Sequence, residues 1–267
     1  MSRESRTPPT RSMRLRSALE KPLQEIGVGR PPRLPDFLGI GAQKSGTTWL
    51  HTQLKAHPDL FLPEEKEVHY FDWHFHEPLG SYGRRFEPAG DRIAGEITPG
   101  YAILPPERIR FLARVMPSVR LVYLLRDPVE RAWSQVVMNA IELDGEDAAA
   151  VPDETWIQRL SEPRVRRRGD HLAVLEAWGR FIPEDRICLG FFEEIAESPA
   201  ELLARVHRFL GVTPRPPVDT GVVRRGIGTP MPDGVREALV EMLRPELEAL
   251  ATRFESPAGD WMRRWSS

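Results

Sequence analysis

A loop framed by glycines, Gly41-Ala42-Gln43-Lys44-Ser45-Gly46-Thr47-Thr48, leaves this chain few architectures to choose from. It follows the short apolar run Phe37-Leu38-Gly39-Ile40-Gly41 and leads into a stretch where Leu50 and Leu54 lie four apart. The run predicts a buried strand, and the spacing predicts a helix over 47–56. Strand, glycine-bearing loop and helix in that order make a cradle for an anion. The glycines let the backbone turn tightly, and the amides at the helix start face the negative charge.

The rest of the chain repeats the alternation. Strand-like stretches at 92–97, 121–125 and 186–192 are separated by helical patterns over 106–116, after Asp127, over 164–182, 198–210 and 235–254. Strands alternating with helices predict an α/β fold of the P-loop type: a central, mainly parallel sheet in a three-layer α/β/α sandwich. Residues 1–35 hold eight basic residues, three acidic ones and six prolines without periodicity, and read as a flexible basic arm. Residues 36–267 read as a single domain. The six acids of 142–154 read as an exposed loop, and 213–232 as an irregular Pro-rich stretch.

Composition excludes several classes of protein. With 37 Lys+Arg against 39 Asp+Glu, the net charge of −2 argues against a nucleic-acid binder. No apolar run approaches the ~20 residues that cross a membrane. The N-terminal arginines are not followed by the apolar segment of a secretory signal. A single cysteine, Cys188, fits a reducing, cytoplasmic setting.

The loop has the outline of a Walker A motif, but Thr47 stands where its lysine belongs, and the lysine lies three positions upstream at Lys44. A second segment, Leu125-Arg126-Asp127-Pro128-Val129-Glu130-Arg131-Ala132-Trp133-Ser134, closes the most apolar strand. Asp127, Pro128 and Glu130 are N-cap, N1 and N3 of a helix, a variant of the capping box. Asp127 is therefore spent on a helix rather than on a Walker B magnesium. Arg126 points into the crevice where open α/β sheets bind ligands, and Ser134 can add a hydroxyl two turns on.

These two segments resemble the sulfotransferases that use 3′-phosphoadenosine 5′-phosphosulfate (PAPS). Gln43-Lys44-Ser45-Gly46-Thr47-Thr48-Trp49-Leu50 is similar to that family's loop for the 5′-phosphosulfate, and Arg126 and Ser134 fall where the family holds the 3′-phosphate. Within it the chain is most similar to the heparan sulfate glucosaminyl 3-sulfotransferases and their bacterial relatives, through Glu67-Val68-His69-Tyr70-Phe71-Asp72-Trp73 and Glu96-Ile97-Thr98-Pro99-Gly100-Tyr101. Arg225-Gly226 resembles the family's loop over the nucleotide. Ile97 stands where the heparan-type enzymes have a lysine, Ile227 where a basic residue is expected, and their cysteine pair is absent. These departures remove positive charge from the acceptor side and speak against a polyanionic acceptor.

The resemblance implies an enzyme that moves the sulfuryl group of PAPS to a hydroxyl, or an amine, of a carbohydrate or small molecule, leaving adenosine 3′,5′-bisphosphate (PAP). It implies that Lys44, Ser45, Gly46, Thr47, Thr48, Trp49, Arg126, Ser134, Arg225 and Gly226 hold the donor. Lys44 would neutralise charge building on the leaving oxygen. The transferred group carries less charge than a phosphoryl group, so no metal is expected.

An acceptor hydroxyl needs a base, and Glu64, Glu65, Glu67 and His69 all lie within 63–70. The heparan-type motif selects Glu67, while the histidine of the phenol sulfotransferases keeps His69 in play. Phe71, Trp73, Glu96 and Tyr101 are expected beside the acceptor, with Glu96 alternatively paired to an arginine. Trp73 and Phe75 either wall that pocket or pack under the loop. His69, His74 and His76 match no zinc spacing. Arg164–Arg168 reads as a solvated charge run or as a lure for anions, and His171 and Trp178 as helix packing. Two other functions stay open: a magnesium-dependent P-loop kinase or NTPase, and a catalytically silent nucleotide-binding protein.

Overall fold

The computed structural model describes residues 32–218 and 228–265. Phe37–Gly41 forms strand β1, followed by helix α1 (Thr47–Lys55) and the two-residue strand β2 (Leu60–Phe61). Helix α2 (Leu79–Arg84) precedes β3 (Ile93–Ile97), and α3 (Pro106–Val115) precedes β4 (Arg120–Leu125). Helices α4 (Pro128–Met138), α5 (Asp153–Leu160), α6 (Pro163–Arg167) and α7 (His171–Gly179) lead to β5 (Ile187–Phe191). The short α8 (Glu194–Glu197), then α9 (Pro199–Leu210), α10 (Asp233–Arg253) and α11 (Ala258–Trp265) complete the described chain.

The strands pair in the order β2-β3-β1-β4-β5, every pair parallel. Because β1 is flanked by β3 and β4, the chain fills one side of β1 with β2 and β3 and then crosses to the other. The loop after β1 therefore opens at the switch point where open sheets receive ligands.

Alternation along the strands divides the interior in two. Phe37, Ile97, Val122, Leu124 and Cys188 face α1 and α9, meeting Leu50, Leu54, Leu202 and Val206. Leu38, Ile40, Leu121, Tyr123 and Leu125 face the larger core built by α3, α4, α7, α10 and α11. Close strand packing needs glycine at two positions. A Cβ at Gly39 would lie 2.7 Å from Ile97, and one at Gly95 would overlap the Phe37 ring.

Most of the expected elements are present within a residue or two. The stretch 164–182 is two helices rather than one, the second capped by Asp170, and α5 begins inside the expected 142–154 loop. Most of the basic arm lies outside the described residues, but its last residues are packed: Arg33 pairs with Asp36 at 2.7 Å and bonds the Arg92 carbonyl at 3.1 Å. Among the described residues no helix is long and apolar enough to cross a membrane.

Candidate active site

The site is built from three segments at the carboxyl end of the sheet. The first is the loop between β1 and α1. Gly46 is the N-cap of α1 with φ 84°, and no side chain caps the helix. A Cβ there would overlap Ile195 Cδ1, so only glycine turns the chain into the helix at this point. Ser45 Oγ is buried without a hydrogen-bond partner among the described residues. An orphaned buried hydroxyl beside uncapped helix amides is a cost that an anionic ligand removes. Lys44 is half-buried at φ 70°, Thr47 is buried at the helix start and Thr48 is exposed. Trp49 is buried in the smaller core beside Leu50 and turns little surface to the site.

The second segment is the end of β4. Arg126 Nη1 donates to the Lys44 carbonyl at 2.8 Å, Nη2 meets Glu130 at 3.2 Å, and the guanidinium stacks over Phe192 at 4.4 Å. Burial pulls its pKa down, and Glu130 opposes that shift. Its backbone is held by a residue read only as packing. His171 Nε2 donates to the Arg126 carbonyl at 2.8 Å while Nδ1 accepts from the Tyr123 hydroxyl at 2.8 Å. Burial lowers the His171 pKa to about 3, so the ring is neutral in that role. Asp127 caps α4 as expected, accepting from Val129 N at 2.9 Å. It also accepts from the Trp265 indole at 2.8 Å. Ser134 is half-buried two turns along the same helix.

The third segment is 66–73. Glu67 and His69 both hold left-handed backbone, at φ 65° and 55°. His69 Nδ1 meets Asp72 at 2.9 Å and Nε2 meets Glu67 at 3.4 Å, while its ring stacks on Trp73 at 3.6 Å. Lys66 bonds the other oxygen of Glu67. Burial alone would push the Glu67 carboxyl up, but His69 and Lys66 override it and hold it at about 2. Burial likewise disfavours the His69 cation, yet Asp72 and Glu67 raise its pKa to about 9. The imidazolium thus lies between two carboxylates. The other acids of the segment are engaged elsewhere, Glu64 with Lys55 at 2.8 Å and Glu65 with Arg85.

Three residues expected to touch an acceptor sit behind this segment instead. Phe71, Glu96 and Tyr101 are 0%, 2% and 0% exposed, too enclosed for direct contact. Glu96 has no arginine partner among the described residues. It accepts from Tyr82 at 2.6 Å, Thr98 at 2.6 Å and Tyr101 at 3.0 Å, and burial raises its pKa. Tyr101 in turn accepts from the Tyr70 amide at 2.9 Å, and Arg108 grips the Phe71 and Asp72 carbonyls at 2.6 and 2.9 Å. This network holds the 69–72 backbone in place. Phe75 packs beneath it under Arg108. Arg225 and Gly226 lie outside the described residues. Sequence reading gave no role to the hydroxyl network, to Lys66 or to Arg108. The His69–Asp72 spacing of three was the one local signal for that pair.

Among the described residues, no cluster of three or more His, Cys, Asp or Glu is arranged to hold a metal ion. The family model described as Sulfotransferase domain matches residues 34–225. Heparan sulfate glucosamine 3-O-sulfotransferase 6 of Mus musculus is 30% identical over 217 residues, covering 77% of this chain and 59% of that protein. Membrane-associated sulfotransferase kil1 of Dictyostelium discoideum is 32% identical over 148 residues, 54% of this chain and 28% of that protein. The chain therefore spans less than two thirds of these relatives. Among solved structures, a sulfotransferase from Alicyclobacillus acidocaldarius superposes with a TM-score of 0.69 at 23% identity, covering 88% of this chain and 99% of that one. A mouse sulfotransferase solved with PAP gives 0.55 at 14% identity, covering 87% and 88%. These likenesses are of fold.

Proposed function

Because the chain belongs to the sulfotransferase domain family, we propose that it transfers a sulfuryl group from PAPS to a hydroxyl of a carbohydrate or small-molecule acceptor and releases PAP. One observation carries the reading. The non-glycine residues with left-handed backbone among the described residues are Lys44, Glu67 and His69, the same three that the sequence nominates for chemistry. Backbone strain of this kind costs about 1–3 kcal/mol per residue and gathers where function requires it.

Lys44, Ser45, Gly46, Thr47 and Thr48 hold the phosphosulfate end of the donor, and Arg126 with Ser134 holds the 3′-phosphate. Bound there, the donor supplies a sulfuryl group on a good leaving group, in a transfer with a loose, in-line transition state. Lys44 offsets the charge that grows on the leaving oxygen as the S–O bond breaks. Glu67 takes the proton of the acceptor hydroxyl as its oxygen bonds to sulfur. A carboxylate with a pKa of about 2 is a weak base but is never protonated in advance. That suffices where the hydroxyl proton departs late. Both nitrogens of His69 are engaged and its pKa is raised, which favours Glu67 over His69 as the base. His69 and Asp72 then orient Glu67.

The kinase reading is the weaker one, because the oxygens of Asp127 are committed to the start of α4 and to Trp265. A cytoplasmic setting belongs to the same proposal and rests on the sequence, with its one buried, free thiol at Cys188.

Calorimetric titration in chelator tests the donor class. PAP should bind far more tightly than ADP, and Arg126→Ala should erase most of that preference. Binding of ADP or ATP that appears only with magnesium would overturn the proposal in favour of a P-loop kinase.

A further inference from the structure

The turn after α6 brings in a cation that nothing above employs. Arg168 Nη1 donates to Gln43 Oε1, on the residue directly before Lys44. Its Nε is buried without a hydrogen-bond partner, and no carboxylate pairs with it among the described residues. Arg164 and the buried Arg131 repel it, while Asp72 and Glu67 attract it. The guanidinium thus touches the donor loop at Gln43 and lies within electrostatic range of Asp72 and Glu67. Asp72 does not pair with it, and its oxygens are turned to His69 and to the Trp73 amide. Burial and Arg164 pull its pKa down to about 10, which leaves it charged at neutral pH.

Arg168 is also held firmly. Arg131, buried on α4, donates from Nη2 to the Val165 carbonyl at 2.7 Å and from Nη1 to Gln135 at 2.7 Å. Gly169 lies against that same guanidinium, where a Cβ would sit 2.6 Å from Arg131 Nε. Two residues on, His171 fixes the Arg126 carbonyl. The turn that carries Arg168 is thus braced on the helix that begins beside Arg126.

A partly desolvated guanidinium with donors to spare and no counter-ion is an anion receptor lacking its anion. We propose that Arg168 is a catalytic residue that binds the terminal oxygens of the sulfuryl group during its transfer. The proposal rests on the sulfotransferase reading and adds a contact to it. The sulfuryl group carries its charge on three terminal oxygens, and Lys44 is occupied with the bridging one. Arg168 is tied to the donor loop through Gln43, and its planar fork of donors suits two oxygens at once. As the acceptor oxygen–sulfur bond forms and the sulfur–bridging oxygen bond breaks, those oxygens stay within its reach. The hydroxyl proton goes to Glu67.

PAP lacks the sulfuryl group, so comparing PAPS with PAP isolates the contact. Calorimetry without acceptor should show Arg168→Ala weakening PAPS binding by about tenfold while PAP binding moves less than about twofold. Arg168→Lys should fall between, and kcat at saturating donor should drop about 10²-fold in Arg168→Ala. If Arg168→Ala fails to fold, Arg168→Lys and Arg168→Gln carry the same comparison. Equal losses for PAPS and PAP would overturn the proposal, because the arginine would then only brace Gln43. Unchanged PAPS affinity with a raised acceptor KM would also overturn it, placing Arg168 on the acceptor. A wild-type protein that binds neither nucleotide would instead bring down the sulfotransferase reading and this contact with it.

Discussion

Lys44, Glu67 and His69 hold backbone that L-residues avoid, and for two of them a backbone contact is at hand. The carbonyl of Lys44 is tied to Arg126, and the amide of His69 points at Thr98 Oγ1 at 3.5 Å. Strain of this kind is separable from chemistry by substitution. Lys44→Ala and Lys44→Gly should both lose at least about 10²-fold in kcat, the scale for removing one preorganised electrostatic group. Lys44→Gly should nevertheless melt as the more stable of the two, by about 1 kcal/mol, because glycine pays no left-handed penalty. Near-normal turnover in either variant would remove Lys44 from the mechanism. For Glu67→Gln, donor titration should be unchanged while transfer is lost. If donor binding fell as well, Glu67 would be a structural support of the loop.

Among the elements, the junction between β1 and α1 has the least freedom. Gly46→Ala meets both an unfavourable φ of 84° and the Ile195 side chain. It should destabilise the protein by at least about 1–2 kcal/mol, read as a lowered melting temperature that PAP restores only partly. This junction was legible from residue order alone, as were β4, α4 and α9, because strong periodicity and cap chemistry are local properties. β2 was not, since two residues cannot show an alternation. The start of α5 was hidden in an acid-rich stretch that looks solvated. The break between α6 and α7 was not read, and the contact packed there, Arg131 lying against Gly169, joins residues 38 positions apart. The same limit applies to the site. Lys44 and Arg126 announce themselves by position in a motif, whereas Arg168 meets Gln43 across 125 residues. Likewise, the burial of Glu96 under three hydroxyls depends on packing that no spacing encodes.

Over the whole molecule, buried histidines and one exceptional ion pair set opposite limits on pH. Burial lowers His51 to about 4, His171 to about 3 and His207 to about 4. Unfolding below pH ~6.5 therefore takes up protons that these rings refuse when folded, a loss of stability toward pH 4 that the Glu246 carboxyl, raised by burial to about 7, opposes over the same range. His69 works the other way. Its folded pKa of about 9 gives stability that is complete below its unfolded value and is lost as pH rises through 9. Melting temperature should fall as pH rises through 9, and His69→Gln should flatten that alkaline limb while also releasing Glu67 from its low value. An alkaline limb unchanged in His69→Gln would contradict this assignment. One carboxylate links that global behaviour to the site. Asp127, next to Arg126, is shared between the start of α4 and Trp265 and Arg264 of α11. Whatever is bolted to that last helix, whether an affinity tag, a dye or a sensor surface, pulls on the residue that anchors Arg126 and the start of α4. A handle placed there would register as poor ligand affinity and be blamed on the ligand.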